Sequence, residues 1–244
     1  MCGLIYLPSR PRDAAWLSDK EKAQIEESVR AASGAVADSG DHRLTSAFRN
    51  RRTWIYAGAY FFFNLALGAQ PWLPLLFTPF HLTALQIGLL LGGANALAAG
   101  AMVAWGRKSD KAAERLNHLL LSAIVAGAGW FLCGYSESSF PLLALGVMLA
   151  LVGMYASLVV FWTLPTSTLR VDERPIGIAL VTCVGLVGSF LAPTITGWLK
   201  EATGSYQGGM FLAAGGMVVA ALAARIAAKA TSAPLIRPER QTSL

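Results

Sequence analysis

The stretch TWIYAGAYFFFNLALGAQPWLPLLFTPFHLTALQIGLLLGGANALAAGAMVAWG, Thr53 to Gly106, contains no Asp, Glu, Lys or Arg in 54 residues. One helix of that length would be a rod of about 80 Å, whereas about 20 helical residues cross the ~30 Å of a bilayer's hydrocarbon. The stretch therefore reads as two membrane spans, with Pro79 and Phe80-His81-Leu82-Thr83 turning the chain between them. The strict apolar/polar alternation of a membrane β-barrel is missing.

Outward from this pair, Phe140 to Leu169, Pro175 to Leu199 and Tyr206 to Ala224 are also free of charge, and Leu116 to Tyr135 is apolar apart from its first turn. The expected helices are Thr53–Phe77, Ala84–Trp105, Leu116–Tyr135, Phe140–Leu164, Pro175–Leu199 and Tyr206–Ala224. An all-α membrane protein of six transmembrane helices follows. With 55% hydrophobic and 14% charged residues and a mean hydropathy of +0.50, the 244-residue chain cannot dress a water-facing surface, which excludes a soluble enzyme, a disordered chain and a secreted disulfide scaffold. The net charge of +6 comes without a basic stripe interleaved with aromatics, so no nucleic-acid partner is expected and the partner indicated is the lipid bilayer.

Of the 20 Lys and Arg residues, only Lys200 falls on one side of the six-span arrangement; all others lie before the first span, in the second-to-third and fourth-to-fifth connections, or in the tail. The positive-inside rule then places both termini in the cytoplasm. The expected organisation is a cytoplasmic segment over 1–50, a six-helix bundle over 51–228 and a cytoplasmic tail over 229–244. In the first segment Ser18 and Glu21 have the S-x-x-E spacing of a capping box, predicting a short surface helix to about Ala32, and Ser33 to Asp41 reads as a linker. Met1 to Leu7 is too short for a signal peptide or a span. Cys2, Cys133 and Cys183 have no metal or redox spacing and read as inert.

Within lipid, helices associate where small residues let backbones approach. Gly88, Gly92, Ala96, Gly100 and Ala104 recur every four residues in the second span and predict a packing groove. Gly177, Gly185, Ser189 and Gly197 repeat the device in the fifth span, and Gly208, Gly216, Ala220 and Ala224 in the sixth. Polar side chains inside the spans are few: Tyr60, Asn64 and Gln70, then Asn95, then Tyr155 and Trp162, then Thr182. For Asn64 and Asn95, interhelical bonding and lining of a water-filled path are equally open. Pro71, Pro74, Pro165 and Pro193 are expected to break or kink helices.

The central parts of the spans hold no Asp, Glu, Lys, Arg or His, and the chain shows no metal-ligand set, cofactor motif or phosphate-binding loop. Gly134-Tyr135-Ser136-Glu137 fits G-x-S-x, but no His in a later span serves Ser136 as a base, so an intramembrane protease is excluded and no enzyme is expected.

Trp105-Gly106-Arg107-Lys108-Ser109-Asp110 resembles the WGRxSD loop of the major facilitator superfamily, in the form typical of its anion:cation symporter family of organic-acid permeases. Tyr60-Phe61-Phe62-Phe63-Asn64-Leu65, Phe161-Trp162-Thr163-Leu164-Pro165-Thr166 and Gly177-Ile178-Ala179-Leu180 with Gly197-Trp198-Leu199-Lys200-Glu201-Ala202-Thr203-Gly204 resemble that family's YFxxNL, FWxLPT and GIAL...GWLK[DE]ATG. Tyr6-Leu7-Pro8-Ser9-Arg10-Pro11 with Trp16-Leu17 is similar to the segment after its sixth helix. The resemblance covers the second half of a twelve-helix permease, so it implies one six-helix repeat of that fold in a bacterial-type inner membrane. It also implies alternating-access transport of a small organic anion with a coupling cation, the proton first, and a separate N-terminal half or a second copy as partner. Tyr60, Asn64, Asn95, Tyr155, Trp162 and Thr182 form the implied substrate-binding set, and Gly106, Arg107, Asp110 and Arg115 the implied gating loop. Departures are Thr182 for the family's usual Asn, Gly185-Leu186-Val187-Gly188-Ser189-Phe190 for GNLGGF, Ala94-Asn95 for Pro-Tyr, and Ala113 for a loop glycine.

Overall fold

The computed structural model describes residues 18–27, 48–112, 114–136, 138–170 and 173–229. The chain divides into two compact units, Met1–Ser46 and Ala47–Leu244. In the first, residues 19–27 are helical. The expected capping box is formed: the Ser18 hydroxyl and amide donate to the Glu21 carboxylate at 2.7 and 2.9 Å, and the Glu21 amide donates back to the hydroxyl at 3.4 Å. The bond from the Ser18 hydroxyl, and then that from its amide, hold the exposed Glu21 carboxyl below its ordinary range. The expected helix beyond residue 27, the linker at 33–41, the Tyr6–Leu17 resemblance, Cys2 and the tail from 230 lie outside the described residues.

The second unit is all-helical in its described residues. Its elements are α1 (Arg51–Leu67), α2 (Leu73–Leu76), α3 (Ala84–Ala112), α4 (Arg115–Tyr135), α5 (Phe140–Thr168), α6 (Arg174–Thr203) and α7 (Gln207–Lys229). Six segments are long and apolar enough to cross a membrane, the first being the composite Arg51–Phe80. Asn50 caps α1 by accepting the Arg52 amide at 3.0 Å. Pro71 and Pro74 then prevent a continuous helix, and the span proceeds through 3-10 turns at Gln70–Trp72 and Thr78–Phe80 around α2. His81, at φ 54°, turns the chain, and a second capping box starts α3: the Thr83 amide donates to Gln86 Oε1 at 2.9 Å, and the Gln86 amide to the Thr83 hydroxyl at 3.3 Å. Gly204, at φ 78°, closes α6 in the left-handed conformation glycine adopts without cost.

One expectation is corrected at the end of α3. The Gly106–Asp110 motif is not a loop: the helix continues through it to Ala112, because Arg107, Lys108 and Lys111 are good helix formers and cations suit a helix C-terminus.

Side-by-side packing runs in the order α6, α1, α7, α4, α5, α3. The tightest approaches are between α4 and α5, where a Cβ at Gly129 or Gly153 would strike the backbone of Ala150 or of Ser122 and Ala126. Ser157 donates to Ser122 across the same interface at 3.0 Å. Gly185, anticipated in the small-residue reading of the fifth span, lets α6 close on Tyr60 of α1; Gly188, outside that reading, lies against the Phe61 carbonyl, and Gly216 of the sixth span against the Phe62 carbonyl. The α3 groove is different. Gly88, Gly92 and Gly100 have no atom within 4 Å where a Cβ would stand, so no described residue of this chain packs there. Residues four apart also rotate by about 40° per step on a 3.6-residue helix, so the stripe winds from one flank of α3 to another instead of forming one straight groove. What α3 packs on α5 is the Ala94 and Ala98 face, both fully buried. Cys133 is buried, whereas Cys183 is exposed on α6.

Candidate functional site

The proline break in the first span exposes polar atoms near the middle of the bundle. Leu67, Gly68, Gln70, Pro71, Leu73 and Pro74 of the first span, Leu91 and Asn95 of α3, and Ser189 and Pro193 of α6 line a cleft of about 420 Å³. Its polar side chains are Gln70, Asn95 and Ser189, and no ionisable side chain lines it. Gln70 Nε2 stands 3.5 Å from the Tyr155 hydroxyl on α5, at the long limit of a hydrogen bond. Asn95 donates one N–H to the Leu91 carbonyl at 2.8 Å, which leaves its amide oxygen and second N–H for another partner.

The remaining expected site residues form a second cluster along the same spans. Tyr60 on α1 and Trp162 on α5 meet edge-to-face with centroids 4.9 Å apart, and Tyr60 stacks on Phe161 at 5.3 Å. A Cβ at Gly185 would run into the Tyr60 ring, so glycine there lets the ring lie against α6. Asn64 is buried, its side-chain amide donating to the Tyr60 carbonyl at 2.9 Å, and Thr182 is half-buried, its hydroxyl on the Ile178 carbonyl at 2.9 Å. Both satisfy themselves on their own helices. Tyr60 and Trp162 thus come together, Tyr155 and Asn95 belong with the cleft, and Asn64 and Thr182 are joined to neither by a side-chain bond. Gln70 was visible in the sequence as a span amide beside Pro71. Ser189 was read only as a packing residue.

At the basic end, Asp110 pairs with Arg115 at 3.7 Å, joining the end of α3 to the start of α4 across their short connection. The pair is solvent-accessible and so contributes little stability. Gly106 lies against Val159, and Arg107 is exposed. Trp105 Nε1 donates to the His118 carbonyl at 3.2 Å. Two part-buried contacts unforeseen in the sequence hold the start of α1. Asn50 Nδ2 donates to the Glu173 carboxylate at 2.9 Å, and the Tyr56 and Thr168 hydroxyls are 3.0 Å apart, so the start of α1 is fastened to the α5–α6 corner.

This geometry offers neutral hydrogen-bonding groups in a cleft between spans and an aromatic pair nearer the basic end, with charge confined to the ends of the described spans. It suits binding and passage of a polar solute; among the described residues no group of His, Cys, Asp and Glu has metal-binding geometry. The family model of the Major Facilitator Superfamily matches residues 1–171. A putative tartrate transporter of Agrobacterium vitis is 31% identical over 90% of this chain and 50% of its own length. A quinolone resistance transporter of Acinetobacter baumannii is 27% identical over 85% of this chain and 48% of its own length. The inner membrane transport protein RhmT of Escherichia coli K12 is 30% identical over 78% and 44% respectively. The chain thus spans about half the length of the curated relatives it matches, and no solved structure matches it. With six apolar spans, a polar cleft lined by three of them and a family model covering well over half its residues, the chain is a multi-pass membrane protein and belongs to the Major Facilitator Superfamily.

Proposed function

We propose that the chain supplies the second six-helix half of a secondary transporter for small organic anions, working by alternating access in a bacterial inner membrane with both termini in the cytoplasm. The observation that carries this reading is the cleft of Gln70, Asn95 and Ser189, contributed by three spans and backed by Tyr155, with the Tyr60–Trp162 pair on two of the same helices further toward the basic end. Neutral donors and acceptors of this kind suit hydroxyl and carboxylate oxygens, and tartrate, named for two relatives, is a hydroxylated dicarboxylate. Sugar acids and aromatic carboxylates fit the same description. Asn64 and Thr182 support the site from behind. At the basic end, Arg107, Asp110 and Arg115 form the gate on Gly106, with Arg107 available to a facing half. A proton is the coupling cation.

The cleft carries no cationic side chain, so the anion's charge must be met by a second six-helix unit, either a separate first half or a second copy. Parallel repeats about an axis along the membrane normal allow both. A second reading, favoured by the half-length match, is a non-transporting fragment or membrane-embedded partner subunit. The test is uptake of labelled tartrate, a sugar acid and an aromatic acid by proteoliposomes of this chain, with and without a second six-helix unit. Saturable uptake by the chain alone supports a working homodimer and removes the fragment reading. Uptake only with the second unit supports the half-transporter, and inert vesicles in both arms leave the fragment reading.

A further inference from the structure

A second hollow, of about 340 Å³, lies at the end of the bundle opposite Arg107, where the three connections of that end meet. Thr78 and Pro79 come from the first connection, Ser138 from the second, and Gly204, Ser205 and Tyr206 from the third. The Thr78 hydroxyl donates to the Leu75 carbonyl at 2.8 Å, and the Ser205 hydroxyl accepts the Gln207 amide at 3.0 Å. The Ser138 and Tyr206 hydroxyls bond to nothing among the described residues. Beside them stands half-buried Lys200, the sole Lys or Arg at this end of the described spans. Its ammonium lies 5.4 Å from the centre of the Tyr206 ring and pairs with no carboxylate among the described residues. Glu201 follows it, exposed and about 100° further round the helix.

Trp72 connects this hollow with the cleft. Its neighbours Pro71 and Leu73 line the cleft, while its own ring packs over Gly197 and lies 5.4 Å from the Tyr206 ring. Its indole nitrogen is buried and has no acceptor among the described residues, a rare state for a buried donor. At about 100° per residue, Ser189 and Pro193 of the cleft, Gly197 beneath Trp72, and Lys200 fall within about 80° on one face of α6, over about 16 Å of its length. The two hollows are thus successive stations along one helix face, divided by an indole with an unused N–H. A cation, two unengaged hydroxyls and that N–H match a hydroxylated carboxylate; a bare inorganic anion would use the cation alone. We propose that this hollow is an entry site for the transported hydroxy-carboxylate. Lys200 meets the carboxylate, Ser138 and Tyr206 meet its hydroxyls, and Trp72 is the partition it crosses to reach the cleft. The entry role rests on the transport reading above, whereas binding of the solute here does not.

The test is saturation-transfer NMR of tartrate with the full chain in phosphatidylcholine nanodiscs. Tartrate should bind, and more tightly than succinate, which has the carboxylates without the hydroxyls. Lys200→Ala should weaken tartrate binding about tenfold, the scale of a lost charge-assisted bond. Lys200→Arg should keep it, and Lys108→Ala at the opposite end should change nothing. Tyr206→Phe, which leaves the ring beside Lys200, should weaken tartrate binding and spare succinate. A wild-type chain that binds no tartrate, binds succinate equally, or is matched by Lys200→Ala would overturn the proposal. In vesicles that also hold a second six-helix unit, Lys200→Ala should raise KM about tenfold for tartrate offered on the Lys200 face and leave KM from the opposite face unchanged. Trp72→Phe, which keeps a ring and removes the N–H, should slow transport from both faces. Equal KM changes on the two faces, or a wild-type rate in Trp72→Phe, would overturn the entry path. Lys200-dependent binding without any uptake by the wild-type pair would instead overturn the transport reading and leave the binding site in place.

Discussion

Replacing Gly129 by alanine puts a Cβ against the backbone N and Cα of Ala150, and no side-chain rotation relieves that contact. The α4 and α5 axes would have to separate, straining the Ser157–Ser122 bond of the same interface. Overpacking of this kind costs about 1–3 kcal/mol, and the backbone nature of the contact puts Gly129→Ala at the upper end. The substitution recovers about 1 kcal/mol of helix propensity, leaving a net loss of about 2 kcal/mol. Gly88→Ala and Gly92→Ala add the same methyl where nothing stands within 4 Å, so they keep the propensity gain and stabilise by up to about 1 kcal/mol. The two sets should differ by about 2–3 kcal/mol in reversible SDS titrations of the micelle-embedded chain followed by circular dichroism. If Gly92→Ala destabilised the isolated chain as much as Gly129→Ala, the α3 stripe would be packed within this chain and the helix order described above would be wrong.

Asn50→Asp retains an N-cap acceptor for α1 but replaces the donor to Glu173 with a carboxylate, so it should lower stability by about 1–3 kcal/mol although aspartate caps as well as asparagine; an unchanged SDS midpoint would contradict the clasp. Tyr155→Phe removes only the long contact with Gln70 and should leave the midpoint within about 0.5 kcal/mol, while raising KM for uptake by the assembled transporter. Because Glu21 is held below its ordinary range, its capping contribution is complete above about pH 4.3 and is lost as pH falls through the lowered folded value. Amide exchange over residues 21–24 should accelerate in that window, and Glu21→Gln should flatten the acid response.

The spans were legible because lipid imposes long runs without charge, and breaks such as Pro71, Pro74 and Pro79 mark themselves. Their ends were harder to read. Charge after Trp105 marks the edge of the hydrocarbon, not the end of a helix, and α3 continues through Arg107 and Lys111 into water. Regular spacing also did not say which helix a stripe would meet. The every-four stripe of α3 meets no described neighbour, whereas Gly129, Gly146 and Gly153, which carry the α4–α5 interface, sit in two different spans and advertise themselves only as a pair. Tyr60 and Trp162 could be placed on helix faces, but their 4.9 Å meeting depends on the glycine at 185, a third element no local pattern connects to them. Ser189 reads as a small packing residue until the α1 break opens a cleft opposite it, and no local pattern joins Asn50 to Glu173, 123 residues away.

The central claim, that this chain contributes a neutral wall of a shared substrate site, is tested most directly by uptake of labelled tartrate. The vesicles would hold this chain together with the half of the Agrobacterium vitis tartrate-transporter relative that it does not match. The expected result is saturable uptake driven by an inward proton gradient and abolished by Trp162→Ala, with the variant still inserted and folded. A correctly inserted pair that transports nothing, or one whose uptake is unchanged by Trp162→Ala, would contradict it.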